Sequence, residues 1–191
     1  DLQDVAENAL YRQLSSHNAD HGCVVVMEVK TGDIKAIANL KRNDDGSYSE
    51  AYNYAVGEST EPGSTFKLMS IMAALEDGVV DLDDMIDTGD GTVTYYDKTI
   101  RDHDNKGLGV ITVQQVFENS SNVGTAKIIY ENYKKNPRRF VDRLYAMRLN
   151  RPLDLQIKGE GQPLIRYPGD KLWSGISLAM MAHGYEVHLT P

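Results

Sequence analysis

The sequence is short of several things: it has one cysteine, one tryptophan and three phenylalanines in 191 residues, and basic residues are outnumbered. Each shortage excludes something. A single cysteine, Cys23, cannot close an internal disulfide. In the apolar run 23–27, with no histidine at a suggestive spacing, it reads as a small buried hydrophobe rather than a nucleophile. No stretch approaches the ~18 consecutive apolar residues of a membrane-spanning helix, and no secretory leader is visible. Lys and Arg number 20 against 28 Asp and Glu, a net charge of -8, which leaves no electrostatic footprint for a phosphate backbone or an anionic bilayer. Nucleic acid and direct membrane contact are therefore not expected. The chain opens at Asp1 rather than Met and is expected to be a piece of a longer protein. What remains, 41% apolar and 8% aromatic residues, is ordinary globular composition.

Along the chain, Leu2, Val5, Ala6, Ala9, Leu10 and Leu14 recur at helical spacing, which predicts a helix over 2–16. Residues 23–29 and 34–40 are apolar, β-branched runs joined by turn residues that include Gly32 and Asp33, a hairpin pattern. Residues 41–54 read as an exposed polar loop. Pro62 and Gly63 punctuate the start of a second helix with Leu68, Ile71, Met72 and Leu75 as its buried stripe, closed by Asp77 and Gly78. The acidic stretch 81–91 lacks the terminal Glu of a calcium loop and reads as a solvated loop without a metal. Thr112 and Gln115 form a capping-box pair for a short helix. A further helix is expected over about 125–135, and Asn136 with Pro137 opens another carrying Phe140, Val141, Leu144 and Met147 on one face. Residues 172–183 predict a strongly apolar helix ending at Gly184. No repeat or linker is visible, so one structural unit of α+β class is expected, helix-rich with one N-terminal hairpin.

Ser64 and Lys67 form a Ser-x-x-Lys pair at a helix start, and residues three apart on a helix share a face. A serine hydroxyl is a weak nucleophile at neutral pH and needs a base, and a lysine serves if burial keeps it neutral. The helix start adds backbone N–H groups beside a forming oxyanion. Taken alone the pair is weak evidence and reads as a capping serine with a surface lysine. The fuller string is Glu61-Pro62-Gly63-Ser64-Thr65-Phe66-Lys67, followed 53 residues after Lys67 by Ser120-Ser121-Asn122-Val123-Gly124. The second string alone would read as a helix-capping loop.

Together the two strings resemble the first and second active-site motifs of penicillin-binding proteins, most closely the class B transpeptidases of cell division and elongation. The similarity continues through residues 51–57, Thr112-Val113 and 184–191. It implies the fold shared by penicillin-binding proteins and serine β-lactamases, with the hairpin belonging to a central antiparallel sheet. It also implies a peptidoglycan DD-transpeptidase, with septal division the expected setting. By this resemblance Ser64 is acylated by the D-Ala-D-Ala end of a stem peptide, Lys67 takes its proton, Ser120 relays protons and Asn122 holds the substrate amide. β-Lactam antibiotics would acylate the same serine, no cofactor or metal is implied, and other division or elongation proteins are implied partners. The implied location is the periplasmic face of the inner membrane, the parent protein being anchored by an N-terminal helix.

The family's third motif, Lys-Thr-Gly, occurs here only as Lys30-Thr31-Gly32, ahead of the nucleophile and in the hairpin turn, and is excluded from the site. Residues 1–191 are thus expected to be a partial transpeptidase domain without its C-terminal strands, inactive on its own. Asp102, His103 and Asp104 are assigned to an exposed loop, and His183 to a helix end favoured by the dipole. Two other functions compete. A serine β-lactamase or β-lactam sensor shares Ser-Thr-Phe-Lys, but no Glu-x-x-Leu-Asn string is present to activate a deacylating water. A non-catalytic divisome scaffold is opposed by the intact Ser64, Lys67, Ser120 and Asn122.

Overall fold

The computed structural model describes residues 1–103 and 106–191. The chain packs as two compact units, Asp1–Ser59 with Pro152–Gln162 and Thr190–Pro191, and Thr60–Arg151 with Pro163–Leu189. The sequence carries no linker because these segments interleave, so no single stretch separates the units.

In the first unit, helix α1 (Leu2–His17) starts at a capping box between Asp1 and Asp4 and stops at Asn18, which is left-handed with φ 50°. It buries Ala6, Leu10 and Leu14 against Ala36, Ala38 and Leu40, while Leu2 and Val5 stay exposed. Strands β1 (His21–Met27) and β2 (Ile34–Arg42) pair antiparallel, Cys23 opposite Asn39, with an irregularity at Val26/Met27. Alternation along β2 sends Ala36, Ala38 and Leu40 to one face, and the two alanines allow a close helix approach. Cys23 is half-buried, and burial pushes its thiol pKa up. Lys30, Thr31 and Gly32 lie in the β1–β2 turn: Gly32 has φ 77° and the Thr31 hydroxyl donates to Glu28 at 2.6 Å. The loop expected over 41–54 instead carries strand β3 (Tyr48–Ser49), paired with the end of β2. Its turn closes through Asn43 N–H to Ser47 O at 2.7 Å. Two residues are too few to register as a periodic signal. The short helix α2 (Tyr54–Gly57) is capped by the Asn53 side chain.

In the second unit a 3-10 turn, Gly63–Phe66, runs into α3 (Lys67–Glu76). The stripe expected on α3 is rotated: Lys67, Ser70, Ile71, Ala73 and Ala74 are buried, whereas Leu68 and Met72 are exposed. Small residues face the core here because α3 is packed closely by neighbouring helices. The stretch read as a solvated acidic loop contains β4 (Met85–Asp87). Strands β5 (Thr92–Tyr95) and β6 (Lys98–Arg101) form a hairpin, and β7 (Val110–Thr112) pairs with β4. Helix α4 (Val113–Glu118) begins at the expected Thr112–Gln115 capping box. Helix α5 (Asn122–Tyr133) starts three residues earlier than expected, because Ser121 caps it by accepting from Gly124 N–H.

Helix α6 (Pro137–Ala146) opens at Pro137 and buries Phe140, Val141 and Leu144 completely. After β8 (Leu164–Ile165), helix α7 spans only Ser177–Ala182, not the whole of 172–183, and β9 (Val187–His188) pairs with β8. Leu172 is exposed, so apolar content there did not mean helix. The core of the unit gathers Phe66, Ile71, Val116, Ile128, Phe140 and Met181 around the start of α3.

Candidate active site

The site lies wholly in the second unit, where a cavity of about 670 Å³ is lined by Ser64, Arg101, Asp102, His103, Asn119, Ser120 and Asn122. Three pieces of chain converge on it: the 3-10 turn, the end of β6, and the loop between α4 and α5.

Ser64 sits in the 3-10 turn and is exposed, while Lys67, three residues on, is 1% exposed. The turn is held from outside. Gly63 N–H donates to Gly184 O at 3.0 Å, Thr60 and Leu189 exchange two backbone bonds of 3.0 Å, and Glu186 N–H donates to the Glu61 carboxylate at 2.9 Å. Ser70 one turn into α3 donates to Ala182 O at 2.7 Å. A side chain at Gly184 would put its Cβ 2.0 Å from Gly63 O, so the approach of these two backbones needs glycine.

Lys67 Nζ donates to the Ser120 backbone carbonyl and, at 3.0 Å, to Ser120 Oγ. Among the described residues it makes no hydrogen bond to Ser64, so the link between the first and second motifs runs through Ser120. Burial pushes the Lys67 pKa down to about 8, against the Asp102 carboxylate, which raises it. His183 is buried at the end of α7, its Nδ1 2.9 Å from Ala179 O. Burial lowers its pKa to about 4, offset in part by the Ala179 carbonyl and reinforced by the positive charge of Lys67. It is therefore neutral at physiological pH, and burial rather than the helix dipole accounts for its place.

Ser120 adopts φ 52°, a left-handed conformation that non-glycine residues rarely hold without support. The support comes from β6. Asn122 Nδ2 donates to Arg101 O at 2.8 Å; Ser121 Oγ donates to both carboxylate oxygens of Asp102, at 3.0 and 2.9 Å; and Val123 N–H reaches Asp102 Oδ1 at 2.9 Å. The exposed-loop assignment is thereby overturned for Asp102, which is 7% exposed. A signal was available: Ile100 is buried and Arg101 exposed, so period-two alternation along β6 sends Asp102 inward with Ile100. His103 is exposed and lines the cavity; Asp104 lies outside the described residues.

The sequence pattern of the penicillin binding protein transpeptidase domain matches residues 22–191. The chain belongs to this family. Among curated relatives, the transpeptidase domain is 31% identical over 191 residues to a probable peptidoglycan D,D-transpeptidase PbpC of Pseudomonas aeruginosa, covering 97% of this chain and 33% of that protein. It is 31% identical over 198 residues to the peptidoglycan D,D-transpeptidase FtsI of Escherichia coli K12, covering 100% of this chain and 32% of that one. The chain thus spans about a third of the length of these relatives. A crystal structure of a peptidoglycan glycosyltransferase from Burkholderia ambifaria superposes with a TM-score of 0.84 at 25% identity, over 98% of this chain and 55% of that one. The apo transpeptidase domain of Burkholderia pseudomallei penicillin-binding protein 3 shares the fold, with a TM-score of 0.83 at 24% identity over 98% and 52% of the two chains. The α+β transpeptidase fold expected from the motifs is the fold observed.

Proposed function

We propose that this domain carries the acyl-serine site of a class B peptidoglycan DD-transpeptidase, with Ser64 as nucleophile, Lys67 as base, Ser120 as proton relay and Asn122 as substrate holder. The observation that carries the reading is a fully buried lysine of lowered pKa, bonded to Ser120, beside a cavity that Ser64, Ser120 and Asn122 share. With a pKa near 8, about a tenth of the Lys67 amines are neutral at pH 7, against less than a thousandth for an ordinary lysine. In the reaction Ser64 Oγ attacks the carbonyl of the penultimate D-Ala and its proton passes to Lys67. The bond to the terminal D-Ala breaks, and that amine leaves with a proton relayed through Ser120. An amine of a second stem peptide then attacks the ester and frees Ser64. Asn122, its Nδ2 committed to Arg101 O, keeps its amide oxygen for a substrate N–H.

A β-lactam would enter the same sequence and stop at the ester. The substrate places this work on the periplasmic face of the inner membrane, beside other division or elongation proteins. No helix among the described residues is long and apolar enough to cross a membrane. The third motif and remaining sheet strands would complete the cleft from further chain of the kind its longer relatives have. The test is labelling of the full-length protein by a fluorescent penicillin, with the adduct located by mass spectrometry. A stable adduct on Ser64, absent in Ser64→Ala, is expected. Rapid turnover of the drug would point instead to a β-lactamase, and no reaction to a scaffold.

A further inference from the structure

The proposed reaction leaves one buried carboxylate beside the site without a part. We propose that Asp102 is a positioning residue of this site: its carboxylate fixes the backbone that aims Ser120 and Asn122, and its charge acts on the Lys67 ammonium. The inference rests on the transpeptidase reading.

The geometry makes the first half. The opening N–H groups of α5 have no partner within their own helix, and Asp102 supplies one from another element, accepting Val123 N–H at 2.9 Å. It also takes the Ser121 hydroxyl on both oxygens, and Ser121 Oγ in turn accepts Gly124 N–H at 2.8 Å. Residues 121 and 123 are thus clamped on either side of Asn122, whose own side chain is tied to Arg101 O. Ser120, with φ 52°, is the residue immediately before the clamp. Bonds to a buried carboxylate are charge-assisted and directional. The end of β6 therefore acts as a template on which the second motif is laid.

The second half concerns Lys67. Among the described residues, two titratable groups act on it: Asp102 from the end of β6, and His183 from the end of α7. Ser120 and Ser64 bring hydroxyls but no charge. His183 stays neutral above about pH 4 and adds no charge in the working range. Lys67 bonds Ser120, the neighbour of the Ser121 that Asp102 holds, and among the described residues Asp102 is then the group whose charge favours the proton on Lys67, in opposition to burial. Removing that charge lowers the Lys67 pKa further, so more amine is neutral at a given pH and the acid limb of acylation moves to lower pH. A residue that only supported the fold would slow acylation equally at every pH.

The experiment measures Ser64 acylation by a fluorescent penicillin from about pH 5 to about pH 10 in the full-length protein, as wild type, Asp102→Asn and Ser121→Ala. Asp102→Asn keeps an oxygen for Val123 N–H but carries no charge; Ser121→Ala keeps the charge and loses the hydroxyl clamp. Both variants are expected to lose about tenfold or more in plateau rate through misplacement, with the limb displaced downward in Asp102→Asn alone. Wild type that does not react at Ser64 sinks the transpeptidase reading itself. Wild type that reacts, with Asp102→Asn keeping the original limb or Ser121→Ala moving it equally, overturns the role given to the charge. If Asp102→Asn does not fold by circular dichroism, Ser121→Ala decides: a slower plateau on an unmoved limb supports the clamp, and an unchanged plateau refutes it.

Discussion

Replacing Gly184 by alanine should weaken both the fold and the acylation site, although Gly184 does not line the cavity. Its φ of 87° is one that an L side chain resists, at a cost of about 1–2 kcal/mol. The added Cβ would also lie 2.0 Å from Gly63 O, 2.6 Å from Gly63 C and 2.7 Å from Gly63 N. These are backbone atoms and cannot swing aside as a flexible side chain does, so relief needs a backbone shift of the overpacking kind, another ~1–3 kcal/mol. The sum, about 3 kcal/mol, corresponds to a fall in Tm of about 6–12 °C at 2–4 °C per kcal/mol for a domain of this size. The shift moves Gly63, and Ser64 with it, so penicillin labelling should drop about tenfold or more. Gly32→Ala is the control: its φ is 77°, nothing lies within 4 Å of the added Cβ, and it sits in the hairpin turn. It should lose only the dihedral contribution and keep full labelling. Thermal shift and labelling of the two variants, side by side, test the reasoning. A Gly184→Ala protein no less stable than Gly32→Ala and labelled like wild type would refute it.

The acylation rate of the wild type should climb with pH to a midpoint near 8, the pKa to which burial brings Lys67. With Lys67 as the proposed base, the neutral amine would be the reactive form and the rate should grow about fifty-fold from pH 6 to pH 8; a flat profile over that interval would remove Lys67 as base. Asp77 offers a test away from the site. Its side chain is 4% exposed, accepts the Tyr133 hydroxyl at 2.9 Å and pairs with Arg139 and Arg143. Both arginines are partly solvated and regain water, so Asp77→Ala should cost about 1–3 kcal/mol. The loss should appear as a lower Tm with penicillin labelling unchanged, and an unaltered Tm would contradict it.

Local chemistry was legible wherever partners lie within a few residues. The Thr112–Gln115 capping box, Pro137 opening α6 and the turn at Gly32 are contacts between neighbours in the chain, and each stands where the sequence put it. Helix α7 was overestimated because an apolar run is compatible with turn structure, and β3 and β4 were missed because two or three residues become a strand only when another strand pairs with them. The rotated stripe of α3 has the same origin: which face of that helix is inside depends on the helices packed against it.

By itself the sequence supplied the proposed nucleophile and base, Ser64 and Lys67 at a spacing that puts them on one turn, and the string 120–124 that points to the family with them. Only the tertiary structure decided what surrounds those groups. It withdrew Lys67 from water, turned it onto Ser120, and brought Asp102 beneath the second motif from 19 residues before Ser121. It also set Gly184 against Gly63 across more than a hundred residues of chain. The physical reason is that proton affinity and backbone clearance are properties of an environment, and this one is assembled from segments that the sequence keeps far apart.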